Sequence, residues 1–390
     1  MKKKQMVTFA FLVGTMLLLA AFDGILGVLM STIKQTFHVG DSQMAVVIFW
    51  GSLAFTLSTF LGGVLCQKIG HRKTFLVGFL LVIMGGTIMM TVSHVNLFIL
   101  CTVIFNCGVS ILTIACNSSV PIIYAAAAIT HMNMLHLFYA AGSSIFKKAI
   151  GFLMNVGVSW KLAYLCISGI ALLLIFVVYL TNMPAKTEKQ TTEKLKLRGL
   201  LRNKMFLIYV GIVGCYMITE GCTSMWLVNY IQTRFSFDVN RASTYLAIYF
   251  ACSVVGKLVF APIIQKLDGR KAVTLLGLTC AIFYTGGILL GQNGLWLIAV
   301  SGFFLAVFYP STLVFISEAF PQNSSYCLGI IITIGNGILM MGNLLIGWMN
   351  DQIGVGLSYC LIPAAAFLGT LLSFAAREMW KKSAGHTSHS

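Results

Sequence analysis

Asp23 and Glu220 are carboxylates set deep inside long apolar stretches, 197 positions apart, and each is followed by glycine. Lys147 and Lys148 interrupt a third such stretch. Placing an ionised group in hydrocarbon costs at least ~2.5–3.5 kcal/mol, so such groups face protein or water and are candidates for binding and proton exchange. A desolvated carboxylate is driven toward its neutral form, which suits it to carry a proton. Two of them at one level cannot both ionise cheaply, because repulsion adds to desolvation. Asp23 and Glu220 are therefore read as the coupling pair. Lys147 lies in the same half of the chain as Asp23 and is expected to hold it charged, as a structural ion pair, a transport element or both. That leaves Glu220 as the proton carrier.

The elements that must position these groups are membrane helices. Hydrophobic residues make up 58% of the 390 and charged ones 9%, against roughly 45–50% and about 25% in soluble domains. The apolar runs have the ~20-residue length that crosses ~30 Å of hydrocarbon as helix, and runs as continuous as Phe75–Met90 exclude the alternating pattern of a membrane β-barrel. Backbone groups in lipid must be satisfied within the segment, which requires helix. The runs fall near 6–32, 44–66, 74–93, 96–124, 132–157 and 161–182, then near 204–230, 241–264, 272–291, 295–316, 326–350 and 355–376.

These six and six are copies of one plan. Gln67-Lys68-Ile69-Gly70-His71-Arg72-Lys73 returns as Gln265-Lys266-Leu267-Asp268-Gly269-Arg270-Lys271, 198 residues on, and Asp23-Gly24 with Gln35-Thr36 returns as Glu220-Gly221 with Gln232-Thr233. Repeats whose offsets agree to within one residue are read before anything else. The fold class is an all-α membrane protein with twelve transmembrane helices in two pseudo-symmetric six-helix bundles, 1–184 and 204–376. A cytoplasmic linker, 185–203, and a cytoplasmic tail, 377–390, complete the chain. Asp23 and Glu220 each lie 16 residues into the first helix of their half, ~24 Å from its start. The glycine after each is expected to permit close helix approach, so that both carboxylates face one cavity.

The net charge of +16 is a topology signal. With the amino terminus inside, Lys2 to Lys4, Lys68, Arg72, Lys73, the cluster from Lys186 to Lys204, Lys266, Arg270, Lys271, Arg377, Lys381 and Lys382 fall on the cytoplasmic side. Only Lys34, Lys161, Arg234 and Arg241 fall outside. Such a bias sets orientation in an inner membrane and adds contact with anionic lipid, so no nucleic-acid partner is inferred. Residues 2–22 imitate a secretory signal, but the apolar run continues to Met30 and exceeds a signal core of ~7–15 residues. The linker's Leu195, Leu197, Leu200 and Leu201 suit a short amphipathic helix on the inner surface, and the tail from Gly385 to Ser390 is read as a disordered polar terminus.

Other chemistry is excluded. The eleven cysteines sit in or beside apolar runs without C-x-x-C spacing, so neither a disulfide framework nor a zinc site is inferred. There is no G-x-x-x-x-G-K-[ST] loop for ATP and no nucleophile or metal cluster, so the chain is not read as an enzyme and no cofactor is assigned.

In the helix bearing Lys147, rotation by 100° per residue puts Asn133, His136, Ser143, Ser144 and Lys147 in a sector of about 100°, with Lys148 at its edge. A polar stripe of this kind points at a cavity or at protein. Thr113, Asn117, Asn336 and Asn343 are possible hydrogen-bond partners, equally suited to interhelical glue. Trp50, Trp226, Phe308 and Tyr309 could stack on a sugar ring, although aromatics in apolar helices more often pack. Lys257 sits nearer the cytoplasm, where a snorkelling or carbonyl-bonded role competes with cavity lining.

Gly63 to Lys73 resembles the helix 2–3 signature of the major facilitator superfamily, with Gln67 where that family usually has Asp. Asn133-Met134-Leu135-His136-Leu137-Phe138, Glu220-Gly221, Gly256-Lys257 and Phe308-Tyr309-Pro310-Ser311 resemble the fucose-permease-like sugar/proton symporters within it. Two positions depart from that group, Thr113 where several members have a carboxylate and Phe146-Lys147 where Gly-Pro is usual. The resemblance implies a monomeric secondary transporter working by alternating access, with a small-molecule substrate, sugar-like or an organic anion, and a proton. It also implies gating loops formed by Gln67, Lys68, Gly70, Arg72 and Lys73, and by Lys266, Asp268, Arg270 and Lys271, which engage helix ends and acidic groups. Proton-driven drug efflux and a non-transporting receptor or scaffold remain alternatives.

The charge asymmetry makes a direct prediction. In a cysteine-depleted background, a cysteine placed at position 194 or 386 should react with a membrane-impermeant thiol reagent only after the cells are opened. Labelling of either in intact cells would overturn the twelve-helix map.

Overall fold

The computed structural model describes residues 2–124, 128–183, 197–266, 268–320 and 324–387. The helices are α1 (Lys2–Phe22), α2 (Ile25–Phe37), α3 (Asp41–Ile69), α4 (His71–Ile88), α5 (Val95–Ile123), α6 (Ala128–Asn155) and α7 (Trp160–Tyr179). They continue with α8 (Leu197–Leu200), α9 (Lys204–Met217), α10 (Thr223–Phe235), α11 (Val239–Lys266), α12 (Gly269–Leu289), α13 (Leu295–Leu305), α14 (Phe308–Ala319), α15 (Ser324–Ile353), α16 (Val355–Ser358) and α17 (Leu361–Thr387). No strand occurs among the described residues. Among the described residues eleven stretches are long and apolar enough to cross a membrane. The remaining long helix, α6, carries the polar stripe that lowers its hydropathy, and with it the order of six and six is complete.

The chain divides into two compact units. One holds α1 to α7 together with residues 236–247, and the other holds α8 to α10, the remainder of α11 and α12 to α17. In the first unit, α4 packs along α5 and α7 through small residues: a Cβ on Gly86 would collide with Ser168 Oγ, and one on Gly108 would lie 2.7 Å from the Gly78 carbonyl. In the second, α13 presses on α11, where a Cβ on Gly302 would lie 2.3 Å from the Tyr249 carbonyl. Close backbone approach replaces the hydrophobic driving force that is missing between helices in lipid.

Several spans are interrupted where the sequence reading drew one continuous helix. The first breaks at Asp23 and Gly24, with Gly24 at φ 72°. Glycine there supplies a left-handed turn rather than the close helix approach expected, because only a residue without Cβ takes that φ at no cost. The seventh span contains a π-turn, Ile218–Cys222, joining α9 to α10. The tenth breaks between α13 and α14, and Pro310 falls in the first turn of α14, where its missing N–H costs nothing. The tail differs as well, since α17 continues past 376 as helix through Thr387. Linker residues 185–196 lie outside the described residues, and so does the end of the tail, 388–390.

Candidate functional site

In the first unit the break at Gly24 frees the last turn of α1, whose Asp23 N–H closes on the Leu19 carbonyl at 3.0 Å. The Asp23 carboxylate then meets α6. Its Oδ2 accepts a hydrogen bond from Ser143 Oγ at 2.8 Å and one from Lys147 Nζ at 2.8 Å, and Lys147 also touches Ser143. Ser143 and Lys147 are four residues apart, the spacing that puts two side chains on one helix face. Lys147 has 0% of its side chain exposed and Asp23 28%. The ion pair expected from the sequence is present, and it connects α1 to α6.

Lys148 does not sit idle at the edge of the polar face. It donates to Asn240 Oδ1 at 2.5 Å, to the Asn240 carbonyl at 3.2 Å and to Thr244 Oγ1 at 2.7 Å, all in the first turns of α11. Ser144 Oγ donates to the Ala247 carbonyl at 2.7 Å. The adjacent lysines therefore serve different helices. His136 is exposed, unlike the buried Ser143 and Lys147, and the Asn133 side chain lies outside the described residues. On α5 the Thr113 hydroxyl bonds to its own helix at the Val109 carbonyl, while Asn117 Oδ1 is buried with no hydrogen-bond partner among the described residues.

In the second unit Glu220 lies within the π-turn, a feature frequent at functional sites because it displaces one residue from the regular helix face. Its Oε2 accepts the Tyr216 hydroxyl at 2.5 Å. The Tyr216 ring stacks on Tyr309 at 4.9 Å between centroids, nearly parallel at 16°, and lies parallel to Phe308 at 6.3 Å. A wall of aromatic faces thus stands beside the carboxylate. Gly221 is packed against Leu339 of α15, 2.7 Å from where a Cβ would stand, so close approach is realised here. Sequence reasoning missed Tyr216, although its position four residues before Glu220 was a usable signal.

Other candidates are scattered. Trp226 is 1% exposed and donates its indole N–H to Asn343 Oδ1 at 2.9 Å, a buried link between α10 and α15. Asn336 is half-buried, and Lys257 is exposed.

The two repeated loops share a frame but differ in charge. Gly70, at φ 81°, turns α3 into α4. Arg72 donates to the Thr181 carbonyl beyond the end of α7 at 2.8 Å, while Gln67, Lys68 and Lys73 are exposed. In the second loop Asp268 caps α12 by accepting the Lys271 N–H at 3.1 Å, and it pairs with Arg377 at 3.1 Å. Burial raises the Asp268 carboxyl, but the Lys271 N–H and the Arg377 guanidinium outweigh it and hold it below the usual carboxylate range. Its contribution to stability is thus present above the ordinary carboxylate pKa and is lost as pH falls through the depressed one. Arg270 pairs with Glu318 at 2.6 Å between the rings of Phe315 and Trp380. Lys271 is exposed, and the Lys266 side chain lies outside the described residues.

A sequence profile of the Major Facilitator Superfamily matches residues 12–296 and 210–387. The chain belongs to this superfamily. It is therefore a multi-pass membrane transporter rather than an enzyme. Among curated relatives, a protein TsgA homolog of Buchnera aphidicola subsp. Acyrthosiphon pisum is 22% identical over 341 residues, covering 81% of this chain and 82% of that one. A second, from Yersinia enterocolitica, is 24% identical over 264 residues, 64% of each. Among solved structures, the nucleoside transporter NupG has a TM-score of 0.80 at 14% identity, covering 96% of this chain and 99% of that one. A D-xylose-proton symporter has a TM-score of 0.74 at 14% identity over 95% and 96%. The E. coli fucose:proton symporter FucP has a TM-score of 0.65 at 18% identity over 96% and 99%. At these identities the likeness is one of fold.

The Asp23–Lys147 pair is asymmetric in burial, and its variants should rank accordingly. Asp23→Asn strands a fully buried ammonium, a loss of about 3–5 kcal/mol. Lys147→Met leaves a carboxylate that still reaches open surface and should cost less, and the double variant, which strands no charge, should recover much of the loss. Thermal unfolding of the purified transporter in detergent gives this order, and wild-type stability in Asp23→Asn would contradict it.

Proposed function

We propose that the protein is a proton-coupled secondary transporter of the inner membrane. It would have both termini cytoplasmic, act as a monomer by alternating access of its two halves, and carry a small polyhydroxylated ring compound. The observation that carries the proton assignment is the contrast in partners: Asp23 is held by the Lys147 ammonium and Ser143, whereas the Glu220 carboxylate takes its hydrogen bond from a neutral phenol, Tyr216. A carboxylate neutralised by a buried cation keeps its charge. One bounded by phenols gains and loses a proton as water reaches it and withdraws, since desolvation favours the neutral acid.

The cargo class rests on two supports. Tyr216, Tyr309 and Phe308 offer flat faces beside a carboxylate, an arrangement that takes the apolar face of a sugar ring by stacking and a ring hydroxyl by hydrogen bonding. The solved structures of similar fold include a nucleoside transporter, a D-xylose-proton symporter and a fucose:proton symporter. In this reading Arg72, Arg270 and their partners at helix ends bias the halves between the two access states.

Uptake of labelled xylose, fucose and uridine into proteoliposomes, with and without an imposed pH gradient, tests the proposal. Wild-type protein should concentrate one of them when the outside is acidic. Glu220→Gln should lose that accumulation, by about tenfold or more, while retaining counterflow exchange of the same compound. Accumulation by Glu220→Gln with wild-type pH dependence would refute the proton assignment, and absence of flux for all three in wild type would refute the cargo class.

A further inference from the structure

The hydroxyls around the π-turn form a ladder that leaves one member out. The Thr223 hydroxyl lies 2.5 Å from the Thr219 carbonyl and 2.8 Å from the Tyr284 hydroxyl, its one proton shared between these two acceptors, and Tyr284 donates to the Tyr359 hydroxyl at 2.8 Å. All of these side chains are buried. Tyr249 of α11 belongs to the same cluster. Its hydroxyl lies beside that of Thr223, three residues on from Glu220, outside hydrogen-bonding geometry. The residue is 0% exposed, and its hydroxyl is buried with no hydrogen-bond partner among the described residues.

An unpaired buried phenol is costly, at about 1–3 kcal/mol, and phenylalanine would fill the same space without that penalty. Nor is the group loosely placed. Gly302 of α13 abuts the Tyr249 carbonyl so tightly that a Cβ there would lie 2.3 Å away, which fixes α11 at this level. The opposing carboxylate has spare capacity, because an ionised Glu presents about four acceptor sites and the bond from Tyr216 engages Oε2. The π-turn holds Glu220 outside the regular helix register, where a small rotation changes what it reaches.

We propose that Tyr249 is a positioning residue for proton exchange: it donates its hydroxyl to Glu220 when that carboxylate is ionised, and stands unpaired when Glu220 is neutral. No proton leaves the phenol. The Glu220 proton passes to water, and the Tyr249 O–H then replaces a water donor that the closed site excludes. Tyr216 is the constant donor and Tyr249 the conditional one.

The other groups around Glu220 do not duplicate this role. Tyr309 of α14 presents its ring to Tyr216. Tyr284 and Cys280 of α12 face Tyr249, and Tyr284 is occupied in the ladder. Cys222 lies on the same turn, α15 presents Leu339 and Gly342 to the turn, and α17 brings Ala365, Ala366 and Gly369 alongside Cys215 and Thr219.

This inference rests on Glu220 being the proton carrier, and the test separates the two. The full-length protein, reconstituted in lipid without substrate, is titrated by infrared spectroscopy of the carboxylic C=O band, with the proton itself as the ligand. Glu220→Gln should delete one titrating band. In Tyr249→Phe the midpoint of that band should move upward by about one pH unit, since a donor that favours the ionised form has gone. Tyr284→Phe should leave the midpoint in place while lowering the melting temperature. Tyr249→Phe, which removes a hydroxyl without a partner among the described residues, should melt at acidic pH no lower than wild type. An unmoved midpoint in Tyr249→Phe overturns the inference and leaves the proton role of Glu220 standing, whereas a band that survives Glu220→Gln overturns the proton role itself.

Discussion

Lys147 is an ammonium with no exposed side-chain surface, compensated by the Asp23 carboxylate and the Ser143 hydroxyl. A charge in that position is tolerable only while its counter-charge stays in place. The left-handed Gly24 sets the last turn of α1 where Asp23 can reach α6, and the placement of Ser143 one turn from Lys147 supplies the remaining donor to the carboxylate. Asp23 is thereby committed to neutralising a neighbour. The symmetry-related carboxylate in the other half pairs with no cation among the described residues and takes a phenol as donor, and that difference between otherwise repeated halves is the physical basis for proposing proton exchange at Glu220.

The divergence extends to the backbone. At the position where the first half breaks its helix with a glycine turn, the second keeps the chain helical and absorbs the irregularity as a π-turn. The first device fixes a carboxylate at the end of a helix segment. The second leaves one on a displaced turn among phenols. The loops diverge in the same way, for Asp268 and Glu318 give the second loop two acidic partners for its arginines, whereas Arg72 in the first finds a backbone carbonyl. The second loop is thus held by ion pairs, whereas Arg72 in the first is held by a hydrogen bond to a backbone carbonyl.

Much of this was legible in the chain itself. The offset between the repeats, the same to within one residue, paired Asp23 with Glu220, and helical rotation singled out Lys147 on the polar face of its helix. The identity of its partner followed from its being in the same half. The irregular turns were not legible, because glycine after an acid is compatible with close packing and with a left-handed turn alike, and a π-turn has no compositional mark. Trp226 shows a second limit, since an indole that lines a cavity and one that bonds a buried Asn343 look the same in an apolar run. The partner of Lys148 was invisible for another reason, as Asn240 and Thr244 lie in a helix whose facing direction depends on tertiary packing.

The claim that one carboxylate is fixed and the other carries the proton is tested most directly by following the proton with its cargo. Proteoliposomes loaded with a pH-sensitive dye, given an inward gradient of whichever sugar or nucleoside the wild-type protein accepts and no imposed pH difference, should acidify inside as the compound enters. Glu220→Gln should admit the compound by downhill flux with no accompanying acidification. Acidification of wild-type size in Glu220→Gln would place the proton on another group and contradict the assignment.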